Sequence, residues 1–439
     1  MNRIAPIIAA HFLRAQWRWR FLRGGRLDRY RERHARRIVA FARARSPFYA
    51  DHWRGHDPAD WRTLPTTDKR LMMANFDRFN TRGIRRADAE AVALAAERDR
   101  DFRPTIGDLT IGLSSGTSGH RGLFLVSPWE SAAWAGTILA RTLAPRREPT
   151  RVAFFLRANS NLYEGLGGRL VRFRFFDLML PLADAVAALN SFAPHYLVGP
   201  PSLLGFLADA REAGNLHARP ARLLAVAETL EPQDRTRLEE VFAAPVGQVY
   251  QCTEGLLAIS CAHGALHVQE DLVALQYESL PGAAGRVTPI VTDLWRRTQP
   301  IIRYRLNDVL RLDSAPCPCG SPFQVIAAVE GRQDDVCRFI AHDGTPRPFF
   351  PDTIRRAILL ASPQILDYRA TQERPGHLHV ALAVAPATPF APLAAEVRAS
   401  IESTIASYAC RPPDLTIEEG LPPAEAGVKR RRVRRLGVN

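Results

Sequence analysis

The chain has 439 residues, of which 46% are apolar and 24% charged. That composition excludes a disordered or fibrous chain and leaves room for two or three globular domains. No window approaches the roughly 20 apolar residues needed to cross a bilayer, so no integral membrane segment is expected. A formal charge of +14, nearly all of it from arginine spread along the chain, attracts anions such as nucleotides, coenzyme phosphates or acidic carriers. Without a reading module or an aromatic and basic platform, no specific nucleic-acid binding is expected.

The opening "APIIAAHFL" runs into "RAQWRWRFLRGGR" with no small-residue cleavage site. It reads as a helix packed on the body, with an amphipathic surface helix touching a membrane as the alternative, and not as a secretory signal, which points to a cytoplasmic protein. Residues 27–46 read as an amphipathic helix, and "LPTTDKRLMMANFDRF" as a cap at Thr67 and Asp68 followed by a second helix. The stretch "LSSGTSGHRG", 113–122, groups Ser114, Ser115, Thr117 and Ser118 around Gly116 and Gly119. No Lys-Ser or Lys-Thr follows, so it is not a Walker-type phosphate loop.

Beyond it the pattern repeats strand, turn, helix: "RVAFFL", then "HYLVGPPSLLGFLADAREAG", then "ARLLAVAETLEPQDRTRLEEVF", closing on "VGQVYQCTEG". Such alternation predicts a parallel sheet with helices on both faces and ligands at the carboxyl ends of its strands. From "ALQYESL" to "VLRLD" the period becomes strand-like, "GRQDDVCRF" reads as a joint, and the remainder suggests a small α+β unit. The fold expected is therefore α/β. A large N-terminal domain, 1–333, has parallel or mixed sheets flanked by helices, and a small α+β C-terminal domain covers 334–439. The terminal "GVKRRRVRR" reads as a polar, mobile tail.

The six cysteines, at 252, 261, 317, 319, 337 and 410, are expected as reduced thiols or metal ligands. "CAHGALH" (261–267) and "CPCG" (317–320) form two short Cys/His clusters. They suit a tetrahedral Zn²⁺ site, with buried free cysteines as the alternative.

Taken in order, these motifs resemble the adenylate-forming enzymes, the acyl- and aryl-CoA synthetase superfamily, and within it the phenylacetate–CoA ligase-like branch. "SSGTSGHRG" is similar to that family's phosphate loop, "AVAET" (225–229) to its Gly-Ala-Glu stretch, and "YQCTEG" (250–255) to its aromatic-x-x-Thr-Glu motif. "TDL" with "IIRYRLND" (292–308) resembles its Thr-Asp-Leu and Arg-Tyr-x-x-x-Asp segment, "GRQDD" (331–335) its hinge, and "GVKRRRVRR" its lysine loop. The resemblance runs collinearly over nearly the whole chain, including "RIVAFARARSPFYADHW" near the start.

The resemblance implies a two-step reaction. A carboxylate attacks the α-phosphate of ATP to give an acyl-adenylate and pyrophosphate; a thiol, usually that of coenzyme A, then displaces AMP. Ser114, Ser115, Gly116, Thr117, Ser118 and Gly119 would wrap the phosphates as a nest. Arg121, standing near where the family has lysine, would add charge. Ala227, Glu228, Tyr250 and Thr253 would line the nucleotide site, and Glu254 would hold Mg²⁺. Asp308 would accept the ribose hydroxyls, Arg332 would pair with the AMP phosphate or with Asp308, and Asp334 or Asp335 would be the hinge. Lys429 would be the mobile lysine that stabilises the transferring phosphate. For zinc, the resemblance gives Cys261, His267, Cys317 and Cys319, with His263 competing for the histidine place.

Tyr163, Tyr250 and Phe154 are candidates for an aromatic acid pocket, and a small aryl carboxylic acid is the substrate class implied. The loop after the joint lacks the usual glycine-valine pattern, so the acceptor stays open between coenzyme A, a carrier-protein phosphopantetheine thiol and an amine. An acyl carrier protein partner and a homodimer also stay open. A basic zinc-containing nucleic-acid-binding protein is the competing reading from another class.

Overall fold

The computed structural model describes residues 4–101, 104–114, 121–144, 146–156, 171–178, 181–281, 283–423 and 430–436. They form two compact units. The first comprises Met1–Tyr277, Ile290–Leu306 and Leu312–Ala327; the second comprises Glu278–Pro289, Asn307–Arg311 and Ala328–Asn439.

The first unit opens with the helices Ala5–Phe21 and Gly25–Arg45. Ala5–Phe21 lies against a third helix, Pro128–Thr142, and Gly136 sets how close they come. A β-carbon there would meet the Ile8 carbonyl oxygen at 2.6 Å and the His11 β-carbon at 2.7 Å, inside contact distance, so only glycine permits this approach. Pro128–Thr142 begins with a capping box in which Ser127 and Glu130 satisfy each other's backbone N–H groups.

The sheet of this unit follows the expected alternation. Strand Thr150–Leu156 pairs in parallel with Val171–Asp177 on one side and with Tyr196–Gly199 on the other. Arg222–Val226 and Val246–Cys252 extend the parallel order. The helices Pro201–Glu212 and Pro232–Phe242 make the crossovers. Burial is nearly continuous in the inner strands Thr150–Leu156, Tyr196–Gly199 and Arg222–Val226, as both faces of a covered parallel sheet require: Phe155, Leu197, Leu223 and Ala225 form one core with Leu189 of a further helix, Leu182–Phe192, and with Leu204, Leu207 and Leu238. After Cys252 the order turns antiparallel. Val246–Cys252 pairs with Gly255–Ser260, and that strand with Leu266–Val268.

In the second unit, strand Ile365–Gln372 pairs antiparallel with His377–Val384, which pairs in parallel with Asp414–Glu419. Helices Pro351–Leu359 and Phe390–Ser407 contribute Ile354, Ile358, Leu393, Val397, Ile401 and Ile405 to the core beneath this sheet.

The basic end differs from the expected mobile tail. Val433–Arg435 is a strand, parallel to Ile365–Gln372. Val433 is buried in the core, Arg430 and Arg432 pair with Asp367, and Arg431 forks onto the buried Asp335. A run of like charge reads as solvated only while its acidic partners, 63 to 96 residues away, are unknown.

Candidate active site and metal cluster

Strands Leu109–Leu113 and Leu123–Val126 pair antiparallel, so the hydroxyl-rich stretch connects two paired strands. Residues 115–120, with Ser115, Gly116, Thr117, Ser118 and Gly119, lie outside the described residues. Their two ends are fixed. The Ser114 N–H donates to the Gly122 carbonyl at 2.7 Å, and the Gly122 N–H donates to Ser114 Oγ at 2.7 Å. Arg121 is held away from a free role: it forks onto Glu97 and donates to the Ser114 carbonyl at 3.1 Å. A positive charge that reasoning from sequence missed lies here instead. Lys69, one of only two lysines in the chain, packs against this base, and a β-carbon on Gly122 would meet its Cε at 3.0 Å.

The turns at the carboxyl ends of two neighbouring parallel strands carry the next residues. Val226 pairs with Val249, so Ala227–Glu228 and Tyr250–Glu254 leave the same edge of the sheet. Ala227 has a φ of 68°, a left-handed conformation costly for a residue with a β-carbon. Glu228 accepts the N–H of Ser202, in the first turn of helix Pro201–Glu212, at 3.2 Å. A register shift falls between Tyr250 and Gln251, a local irregularity of the type that re-aims side chains beside active sites. Glu254 is buried, and its carboxylate accepts from the Thr253 hydroxyl at 2.8 Å. The buried Tyr304, from "IIRYRLND", lies near it. Burial first, then the Glu254 charge, pushes the Tyr304 phenol well above its ordinary pKa. Its hydroxyl makes no well-aligned hydrogen bond among the described residues.

Two further side chains, Arg296 and Gln299, tie these pieces together. Arg296 is fully buried and donates to the Thr253 carbonyl, to Gln299 Oε1 at 2.8 Å and to the Leu125 carbonyl at 3.3 Å. Gln299 accepts the Leu125 N–H at 3.0 Å and donates to the Leu123 carbonyl at 3.2 Å. The strand leaving the hydroxyl-rich stretch is thereby fastened to the Thr253–Glu254 turn. Asp293 of "TDL" accepts the N–H groups of Trp295 and Arg296 at 2.8 and 2.9 Å. Full burial raises its pKa to about 6, against the lowering effect of those bonds. Phe154 packs into the sheet core beside Val152 and Val198, with Phe173 at 5.3 Å; Tyr163 lies outside the described residues.

In the second unit, Arg332 Nε stands 3.9 Å from Asp308. Gly331, with a φ of 117°, permits the turn into the short helix Gln333–Asp335. Asn307 donates to Asp334, and Asp335 is occupied by Arg431. Lys429 lies outside the described residues.

The four Cys/His positions do converge. One ligand atom from each of Cys261, His267, Cys317 and Cys319 lies within 4.8 Å of all the others. Cys261 and Cys317 sulfurs are 3.7 Å apart, and Cys319 Sγ is 3.3 Å from His267 Nε2. Tetrahedral zinc with bonds of about 2.3 Å to sulfur requires sulfurs about 3.8 Å apart. Burial lowers the His267 pKa, favouring the neutral ring. Its Nδ1 lies 2.9 Å from the Phe323 carbonyl, which leaves Nε2 as the ligand atom. His263 is not part of this convergence.

Taken together, these elements give a fold shared with solved acyl-CoA ligases and acyl acid amido synthetases. No sequence-family profile matches the chain, and no curated protein matches it. Among solved structures, it is similar to 2-hydroxyisobutyryl-CoA ligase in complex with 2-HIB-AMP, at 18% identity and a TM-score of 0.68 over 92% of this chain and 88% of that one. It is also similar to the GH3.15 acyl acid amido synthetase, at 11% identity and a TM-score of 0.63 over 94% and 91%. The amide bond synthetase McbA from Marinactinospora thermotolerans matches at 14% identity and a TM-score of 0.52 over 74% and 68%. At these identities the likeness speaks for the fold.

Proposed function

We propose that the protein activates a carboxylic acid with ATP, forming an acyl-adenylate and releasing pyrophosphate, and then transfers the acyl group to the thiol of coenzyme A. The observation that carries this reading is the buried Glu254 carboxylate at the end of a parallel strand. Thr253 and Arg296 tie it to the strand leaving the hydroxyl-rich stretch. Phosphoryl transfer asks for positioning and charge neutralisation, and this geometry offers both. Glu254 would hold Mg²⁺, which would neutralise charge on the phosphates, and Lys69 and the loop amides would add cationic and hydrogen-bonding contacts. Arg121 would join them only after leaving Glu97. Asp308 is assigned to the ribose hydroxyls, Arg332 to the AMP phosphate, Asp334 to the hinge and Lys429 to the first half-reaction. Names of the similar proteins support the reaction class: one is a CoA ligase bound to an acyl-AMP, and two form amides. The small aryl acid and the phenylacetate–CoA ligase-like branch rest on the motif resemblance.

A screen of pyrophosphate release over aryl and alkyl acids, with and without coenzyme A, tests this directly. Release should depend on one acid class, and thioester should appear only with coenzyme A. An amide product with added amines would favour the other acceptor. Glu254→Gln and Asp308→Ala should each lower release at least about a hundredfold while the protein stays folded; full activity in either removes its role.

A structural Zn²⁺ on Cys261, His267, Cys317 and Cys319 accompanies this reading, and the ligand set fits it in chemistry and spacing. Elemental analysis should find one zinc per chain, lost in Cys317→Ser together with a lowered melting temperature. Metal-free wild-type protein of unchanged stability would exclude it.

A further inference from the structure

Helix Ala5–Phe21 turns Ile8, His11, Ala15 and Arg18 inward. At about 100° per residue, the opposite side of the helix carries Leu13, Trp17 and Phe21. They are 64%, 56% and 47% exposed, and the rings of Trp17 and Phe21 lie 5.7 Å apart. Single exposed apolar side chains are ordinary, but three in one continuous stripe mark a contact surface.

The borders of the stripe say what it contacts. Arg14 lies along one edge and Arg20 along the other, with Arg23 and Arg26 just beyond; all four are exposed. The helix carries no acidic residue, and the first Asp or Glu of the chain is Asp28. A second copy docking here would set these arginines against their own like, which is unfavourable. A surface that offers both an apolar layer and negative charge matches the stripe and its borders at once. Tryptophan and phenylalanine settle at the lipid–water boundary, and arginine reaches headgroup phosphates from beside them. No helix among the described residues is long and apolar enough to cross a membrane, so the contact is made by a face and not by a span.

We propose that this face docks the protein reversibly on an anionic phospholipid surface. The proposal is independent of the reaction assigned above.

Co-sedimentation of the full chain with phosphatidylcholine vesicles, with and without about a third phosphatidylglycerol, tests it. Binding to the anionic vesicles should exceed binding to neutral ones by at least about tenfold and should fall as salt rises. Leu13→Gln, Trp17→Gln and Phe21→Gln together should lower it about tenfold with circular dichroism, melting temperature and pyrophosphate release unchanged. Arg14→Glu with Arg20→Glu should erase the preference for anionic vesicles. Equal binding to both vesicle types, no binding to either, or undiminished binding of the triple variant overturns the proposal. So does a wild-type dimer that the triple variant makes monomeric, because the stripe would then be an interface between copies.

Discussion

At the scale of single residues, the site rests on charged groups taken out of water. Asp293 is the clearest case, a fully buried carboxyl with a pKa raised to about 6. The folded protein therefore holds this proton more tightly than the unfolded chain does. Its contribution to stability is greatest below the unfolded value of about 3.9 and is lost as pH rises through 6. Asp293→Asn keeps an oxygen for the Trp295 and Arg296 N–H groups without the charge. Urea titrations should show the variant gaining on wild type by about 2 kcal/mol between pH 4 and pH 7; parallel profiles would refute this. The candidate residues themselves were legible: "YQCTEG" and "CAHGALH" with "CPCG" announce their residue types. Arg296 and Gln299 were not. An arginine carries little information in a chain this rich in arginine, and its importance lies in two distant carbonyls, those of Thr253 and Leu125, that only folding brings near. Lys69 was missed because it precedes the loop by fifty residues in sequence.

Among the elements, alternation of short apolar runs with amphipathic stretches was enough to place the parallel strands Thr150–Leu156, Tyr196–Gly199, Arg222–Val226 and Val246–Cys252 and the helices Pro201–Glu212 and Pro232–Phe242, but not the edge strand Val171–Asp177. What that pattern could not give was the approach of one helix to another. Gly136 illustrates it. In isolation, alanine would favour the helix by roughly 1 kcal/mol over glycine. In the folded protein the added methyl meets the backbone oxygen of Ile8 at 2.6 Å, and a carbonyl cannot rotate aside as a side chain could. Overlap should win, so Gly136→Ala should lower stability by about 1–3 kcal/mol, measured by thermal melts; a stabilised variant would show that the two helices have room to part. The last strand teaches the complementary lesson. "RRRVRR" reads as a tail because its one apolar residue, Val433, is outnumbered; it becomes a strand because Asp335 and Asp367 neutralise the arginines before it.

For the molecule as a whole, the net charge of +14 sets a background of self-repulsion that local ion pairs only partly relieve. Moderate salt should screen it. The melting temperature should therefore rise from about 20 to 200 mM sodium chloride, and inorganic pyrophosphate should raise it further at equal ionic strength if it finds a specific site. A melting temperature that falls steadily with salt would mean that attractive surface pairs dominate. Residues after 334 share a core of their own, and the second unit also takes in segments from before the expected joint. The short segments 278–289 and 307–311 that join the second unit carry no signal of it, because their strand pattern is the same whichever sheet they serve.

The Cys/His convergence has a consequence that reaches beyond its own four residues. A metal gripping His267 and Cys317 would close a ring of about 50 residues, a constraint on the unfolded chain worth roughly 4 kcal/mol. Tyr304, Asp293 and Arg296 all lie on that ring. Pulling the ion out with a chelator would open that hoop and release the restraint on all three side chains at once, a cost that would fall on residues remote from the four that touch the metal.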